Sequence, residues 1–134
     1  MAVRYPRPAA GFSPDAMSPA AIRAFDNIAR LWRLDLEMQL TLLGNPPRST
    51  FYKWKKEPEL ARLGRDTLER ISYVLGIYKA LQILLPDAEV ADNWIHKPNS
   101  ASIFGGQSAL QRMLSGNVSD LYVVRQYLDA MRGG

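Results

Sequence analysis

The sequence predicts an all-α fold in which a helix-turn-helix portion is followed by a smaller helical portion. Three observations carry this expectation. Apolar residues recur at the three-and-four spacing of amphipathic helices along most of the chain, and no segment reads as a strand. The periodic segments are punctuated by residues that begin or end helices: Ser18-Pro19, Asp35, Gly44, Asp66, Asp87, Ser108 and Gly116. A short basic segment at residues 46–56, Pro-Pro-Arg-Ser-Thr-Phe-Tyr-Lys-Trp-Lys-Lys, reads as a compact helix after a turn.

The 134 residues suit one domain of ordinary size or two very small ones, and a hydrophobic share of 47% is enough for a packed core. No apolar run approaches the roughly 20 residues that span a bilayer, and no signal-peptide pattern opens the chain. The absence of cysteine excludes disulfides and thiolate metal sites, and a cytoplasmic setting is the simplest expectation. The formal charge of +4 is unevenly spread. Residues 1–86 carry 13 Lys/Arg against 8 Asp/Glu, net +5, whereas residues 87–134 carry 4 against 5, net −1. A basic front and a near-neutral back point to two jobs, with a polyanion partner for the front.

Residues 1–17 hold Pro6, Pro8, Pro14 and Gly11 without a helical period and are expected to form a flexible arm. Arg4 and Arg7 flank Tyr5 and Pro6 in it, a pattern that also fits an arm in a DNA minor groove. Ser18-Pro19 is the expected helix start, with Ser at the N-cap and Pro at the first helical position. Ile22, Phe25, Ile28, Ala29 and Trp32 then share one face. Asp35 is placed to cap a second helix with apolar positions Leu36, Leu40 and Leu43, and Gly44 to close it in the left-handed conformation. In the basic segment Ser49 is the N-cap candidate, and Phe51 and Trp54, three apart, anchor the helix to a core. Asp66-Thr67-Leu68-Glu69 reads as a capping box. A helix follows through Leu68, Ile71, Val74 and Leu75, with Gly76 as its expected break, and a further stripe of Ile77, Leu81, Leu84 and Leu85 runs to Pro86. Helix, turn, helix and supporting helices together describe a DNA-binding module over residues 18–86.

From residue 87 the character changes. Asp87 caps a helix expected to bring Val90 and Trp94 together, with Trp94 as a core anchor of the back half. His96-Lys97-Pro98-Asn99 ends it, and Ile103-Phe104 precedes Gly105-Gly106, where the backbone can take conformations that side chains forbid. Ser108 caps a helix with Leu110, Met113 and Leu114, closed by Gly116. The last helix has the cleanest period, Leu121, Val124, Leu128 and Met131, and Arg132-Gly133-Gly134 remains as a tail. His96 is the only histidine, so a catalytic metal or a nucleophile–histidine pair is very hard to build. Asp87, Glu89 and Asp92 are spaced like a solvated helix face. No enzymatic activity, cofactor or metal site is expected.

These residues resemble the Xre/MbcA/ParS antitoxins from about residue 18 onward. In the front the resemblance rests on Leu42-Leu43-Gly44, Arg48-Ser49-Thr50, Trp54, and the run Thr67-Leu68-Glu69-Arg70 through Leu75-Gly76-Ile77-Tyr78. In the back it rests on Trp94, Pro98-Asn99, Gly105-Gly106, Leu110, Met113-Leu114, Gly116, Val118 and Leu128. The resemblance implies a type II antitoxin whose residues 87–134 form a toxin-binding domain. The implied partner is a RES-domain toxin that consumes NAD or ADP-ribosylates a target, its active-site cleft covered by the antitoxin. It also implies repression of the antitoxin's own operon through the helix-turn-helix, and assembly through homodimers into larger complexes with toxin. Two departures stand out. The turn at Gly44-Asn45-Pro46-Pro47-Arg48 is one residue longer than the usual pattern, and Ser108 stands where the family usually has Pro. The alternative reading is a stand-alone helix-turn-helix repressor whose C-terminal half only dimerises.

The expected DNA contacts are Arg48, Ser49, Thr50, Tyr52, Lys53 and Lys56, with Lys55 weaker because it lies off that face. Lysines mostly supply phosphate contacts, and base readout falls to Arg48 and the hydroxyls. For the toxin, the expected contacts are Gly105, Gly106 and Gln107, Arg112, and the tail Arg132, Gly133 and Gly134, slim enough to enter a dinucleotide cleft. Lys53→Ala is expected to weaken binding to all DNA sequences and to flatten the salt dependence of log K by about one unit. A salt titration of binding checks this, and an unchanged slope removes Lys53 from the contact set.

Overall fold

The computed structural model describes residues 14–133. Regular structure among them is helical: α1 (Pro14–Leu31), α2 (Leu36–Leu42), α3 (Arg48–Lys56), α4 (Arg65–Leu84), α5 (Ala88–Asn93), α6 (Ala109–Met113) and α7 (Val118–Met131). Short 3₁₀ turns at Pro58–Leu60 and Trp94–His96 follow α3 and α5, and Pro98 and Ser108 form an isolated antiparallel bridge. The arm residues Arg4, Tyr5, Pro6 and Arg7 lie outside the described residues, whereas Pro14 to Met17 are already helical.

The centre of the molecule is α4. Ile71, Val74, Ile77, Ala80 and Leu81 are buried along it, and it packs against both α1 and α7. On the front side, Ile22, Phe25, Ile28, Ala29 and Trp32 of α1 are all buried, as their spacing predicts, together with Leu40, Leu42, Leu43, Phe51 and Trp54. On the back side the core continues through Ala91, Ile95, Leu110, Met113, Leu121, Val124 and Leu128. Val90 and Met131, assigned above to apolar stripes, are exposed. In α5 it is Ala91 that turns inward, followed by Ile95 in the 3₁₀ turn, because the helix enters at a different rotation from the one its sequence suggests.

Three expected helix starts are corrected. Ser18 is not an N-cap: α1 is under way by Pro14, and the fully buried Ser18 hydroxyl instead accepts the Leu63 N–H at 2.9 Å. A buried backbone donor needs a partner, and this long-range demand overrides the local Ser-Pro signal. Pro19 therefore lies inside the helix, where it removes one backbone bond. Ser49 is not a cap either, since Pro47 occupies that position and Ser49 sits exposed in the first turn of α3. Asp66 belongs to the first turn of α4 after an N-cap at Gly64, and its carboxylate pairs with Arg70 at 3.0 Å. Asp35, Asp87 and Ser108 do cap, and Ser108 does so reciprocally with Gln111.

Gly76 does not break its helix, because α4 runs through it to Leu84. Its missing side chain is used by α7: a Cβ there would lie 2.5 Å from Arg125 Nε, so the Arg125 side chain crosses α4 through the space that glycine leaves open. Gly44 behaves as expected. It closes α2 at φ +91°, and Asn45 at φ +60° donates back to the Leu40 carbonyl at 2.8 Å. The Asp66–Arg70 pair lies directly against this turn.

The corner between α6 and α7 is held by one carboxylate. Asp120 accepts from Ser115 Oγ at 2.5 Å and from Arg112 Nε at 2.9 Å. Arg112 Nη1 also donates to the Ile103 carbonyl at 2.5 Å. The Ser115 hydroxyl first, then the hydrogen bond and charge of Arg112 and a bond from Asn117, hold the Asp120 carboxyl below its ordinary 3.8, against an opposing effect of burial.

Two measurements follow from this packing. Gly44→Ala forces a side chain into left-handed backbone and is expected to cost about 1–2 kcal/mol, lowering Tm by about 3–8 °C in thermal denaturation. Asp120→Asn is expected to destabilise the fold by about 1–2 kcal/mol at neutral pH. Because the folded carboxyl titrates below its unfolded value, this contribution is full above about pH 4 and is lost as pH falls through the depressed folded pKa. The Tm gap between wild type and Asp120→Asn should therefore close in acid; a gap unchanged by pH would contradict this role.

Candidate functional site

Two surfaces carry the candidate residues. The first is the outer face of α3. Its inner side is fixed by Phe51 and Trp54, which are 1% and 8% exposed, so the opposite arc faces out. Arg48, Ser49, Tyr52, Lys53 and Lys56 all lie exposed on that arc. Thr50 is half-buried at the edge, where it lines a cleft with Lys53, Trp54, Glu57, Leu60, Ala61 and Arg62. Lys55 turns toward α1 instead, pairing with Asp26 at 3.2 Å and lying 5.4 Å from the Phe51 ring centre, so it is off the outer face.

Sequence reasoning passed over two features of this surface. Glu37 of α2 forms an ion pair with Arg48; no local pattern marks a pair eleven residues apart across a turn. Arg62 is exposed on the stretch leading into α4 and lines the cleft with Thr50 and Lys53. Its charge was legible, but not that the chain after the Pro58–Leu60 turn comes back alongside the basic helix. Arg48, Ser49 and Tyr52 lie toward the N-terminal end of this face, and Lys53 and Lys56 toward its C-terminal end.

The second surface is the segment of residues 98–108, and the remaining candidates lie at the end of α7. Gly105, Gly106 and Gln107 are exposed, and both glycines take positive φ, +57° and +86°. The turn they make is closed at its base by Asn99. The Asn99 N–H donates to the Gln107 carbonyl and the Gly106 N–H to the Asn99 carbonyl, both at 3.0 Å, while Asn99 Oδ1 accepts the Ala101 N–H at 2.9 Å. Beneath the turn, Phe104 meets Trp94 and Tyr127 with ring centres 6.0 and 5.2 Å away, and Trp94 lies nearly parallel to Tyr127. Trp94 is thus a half-buried anchor of the back half. Tyr127, one residue off the apolar stripe of α7, is the member that periodicity alone did not single out.

Arg112 does not join Gly105–Gln107 at the surface. Its guanidinium is turned inward onto Asp120 and the Ile103 carbonyl, which makes it a support of the turn. Arg132 and Gly133 lie exposed where α7 ends, with Gly133 closing the helix at φ +91° and Arg132 Nη1 3.8 Å from Asp129 Oδ1. Gly134 lies outside the described residues. His96 donates from Nε2 to the Trp32 carbonyl at 2.7 Å and so ties the back half to the end of α1.

Comparison with known proteins separates the chain along the same two surfaces. Residues 13–76 match the antitoxin Xre-like helix-turn-helix domain, and residues 80–134 match the antitoxin Xre/MbcA/ParS C-terminal toxin-binding domain. The chain is also 52% identical over 130 residues to the uncharacterized protein y4oB of Sinorhizobium fredii (strain NBRC 101917 / NGR234), covering 95% of this chain and 98% of that one. With α3 inside the first matched region and the Gly105–Gln107 turn inside the second, the chain belongs to the Xre/MbcA/ParS family of antitoxins.

Proposed function

We propose that this antitoxin covers the active site of a RES-domain toxin that consumes NAD or ADP-ribosylates a target, and that it represses its own operon through α3. The observation that carries the toxin reading is the exposed Gly105–Gln107 turn on its braced base. Its glycines carry no side chains, so a partner's backbone can approach closely, and the Asn99 bonds mean that little order has to be gained on binding. Arg132, Gly133 and Gly134 follow as a slim basic end suited to a cleft shaped for dinucleotide phosphates, where Arg132 meets an acidic group. In this reading Arg112 acts by holding the turn and not by touching the toxin.

For DNA, Lys53 and Lys56 meet phosphates, while Arg48 and Ser49 lead base readout and Tyr52 flanks them. Thr50 contributes from the edge of the face. The functional division falls near residue 86, with residues 18–86 serving the operator and 87–134 the toxin. A homodimer reading two half-sites, joined by toxin into a larger complex, fits a helix-turn-helix of this size. The alternative, a repressor whose back half only dimerises, would need the Gly105–Gln107 turn covered by a second copy.

Co-purification with the product of the neighbouring reading frame tests the partner assignment. Deletion of residues 132–134 tests the tail: growth protection in cells expressing the toxin is expected to fall at least about tenfold, the equivalent of losing one charged contact. Full protection by the truncated chain would reject the inserted tail.

A further inference from the structure

The ion pair between Glu37 and Arg48 joins the two helices of the helix-turn-helix, with Arg48 Nη2–H donating to Glu37 Oε1. Stability does not explain it. The side chains are 57% and 68% exposed, and pairs so open to water contribute little. The two helices are in any case fixed by the buried Leu40, Leu42, Leu43 and Phe51. DNA affinity does not explain it either, because a carboxylate beside a phosphate-binding face opposes binding.

What the pair does is hold Arg48. Arg48 is the first residue of α3, whose N-terminus has no side-chain cap. A free arginine there would spread over many rotamers, and reading a base would require choosing one. Glu37 engages one N–H of Nη2, and the other still stands parallel to an N–H of Nε or of Nη1, so one bidentate edge of the guanidinium stays free. An arginine with such an edge free is the side chain that matches O6 and N7 of guanine in the major groove.

We propose that Glu37 is a positioning residue that holds Arg48 for guanine readout, so that the pair sets operator specificity while the lysines of α3 set affinity. The inference rests on the DNA-binding reading above. The carboxylate also acts against non-cognate sites: with no guanine to bind, Arg48 remains neutralised, and Glu37 faces phosphates without recompense.

The test is selection from a pool of randomised DNA duplexes by the full-length protein, sequenced before and after binding, alongside affinity for a single random duplex. Wild type is expected to enrich a motif with a guanine that Arg48→Ala no longer selects. Glu37→Ala should lose about fivefold of the preference at that same base pair. It should bind the random duplex no more weakly than wild type, an outcome that a folding defect would not produce. Glu37→Gln, whose amide oxygen still accepts from Arg48, should keep the preference. Lys53→Ala should weaken every duplex and leave the motif intact. A Glu37→Ala protein with an unchanged motif, or with equal loss on all duplexes, overturns the proposal while the DNA-binding reading stands. A wild type that enriches no motif at all removes both.

Discussion

Helix α4 has to bury apolar side chains on two sides at once. One side meets α1 and the residues that support α3; the other meets α7 and the residues that support the Gly105–Gln107 turn. A helix with one apolar stripe can satisfy only one neighbour, and α4 meets both with Ile71, Val74, Ile77, Ala80 and Leu81, flanked by half-buried Leu68, Leu75 and Leu84. At Gly76 the Arg125 side chain occupies the space a Cβ would take. Arg125 is further placed by Asp129 at 3.6 Å on its own helix. Removing α4 from either neighbour would leave a row of aliphatic side chains in water, at about 25 cal/mol for each Å² exposed.

Polar links follow the same seam and tie the end of α1 to the back half. Arg33 donates to Asn93 Oδ1 at 2.6 Å, and His96 donates to the Trp32 carbonyl at 2.7 Å. Gln39 in turn donates to the Leu34 carbonyl at 3.0 Å, which fastens the start of the helix-turn-helix to that same helix end. A chain of packed and hydrogen-bonded groups therefore runs from the α2–α3 unit to α5. Antitoxins of this family carry a DNA-binding and a toxin-binding domain in one chain, and here both are built against a common helix.

The local devices show where sequence reading succeeds. Asp35, Asp87 and Ser108 cap because each needs only backbone N–H groups two or three residues ahead. Gly44, Gly105, Gly106 and Gly116 take positive φ because such turns leave few other choices. Phe51 and Trp54 point inward because a short helix with two aromatic residues three apart has one side to bury. Ser18, Ser49 and Asp66 have the same chemistry as the true caps, and each was drawn elsewhere. Ser18 serves the Leu63 N–H, forty-five residues away; Pro47 holds the N-cap position two residues before Ser49; and Arg70 takes the Asp66 carboxylate.

The candidate surfaces divide in a similar way. The basic arc of α3 was legible as a set, since once its inner face is known the rest follow from helical geometry. The direction of Arg112 was not: its guanidinium could have faced a partner until Asp120 and the Ile103 carbonyl claimed it. By itself, the sequence determined the all-α class, the basic front, the placement of most turns and the outward arc of α3, because these depend on spacing and backbone freedom within a few residues. Tertiary structure alone decided that α4 continues through Gly76, that Glu37 meets Arg48, and that Trp94, Phe104 and Tyr127 stand together. Each of those is a contact between residues distant in the chain, settled by which faces must be buried together.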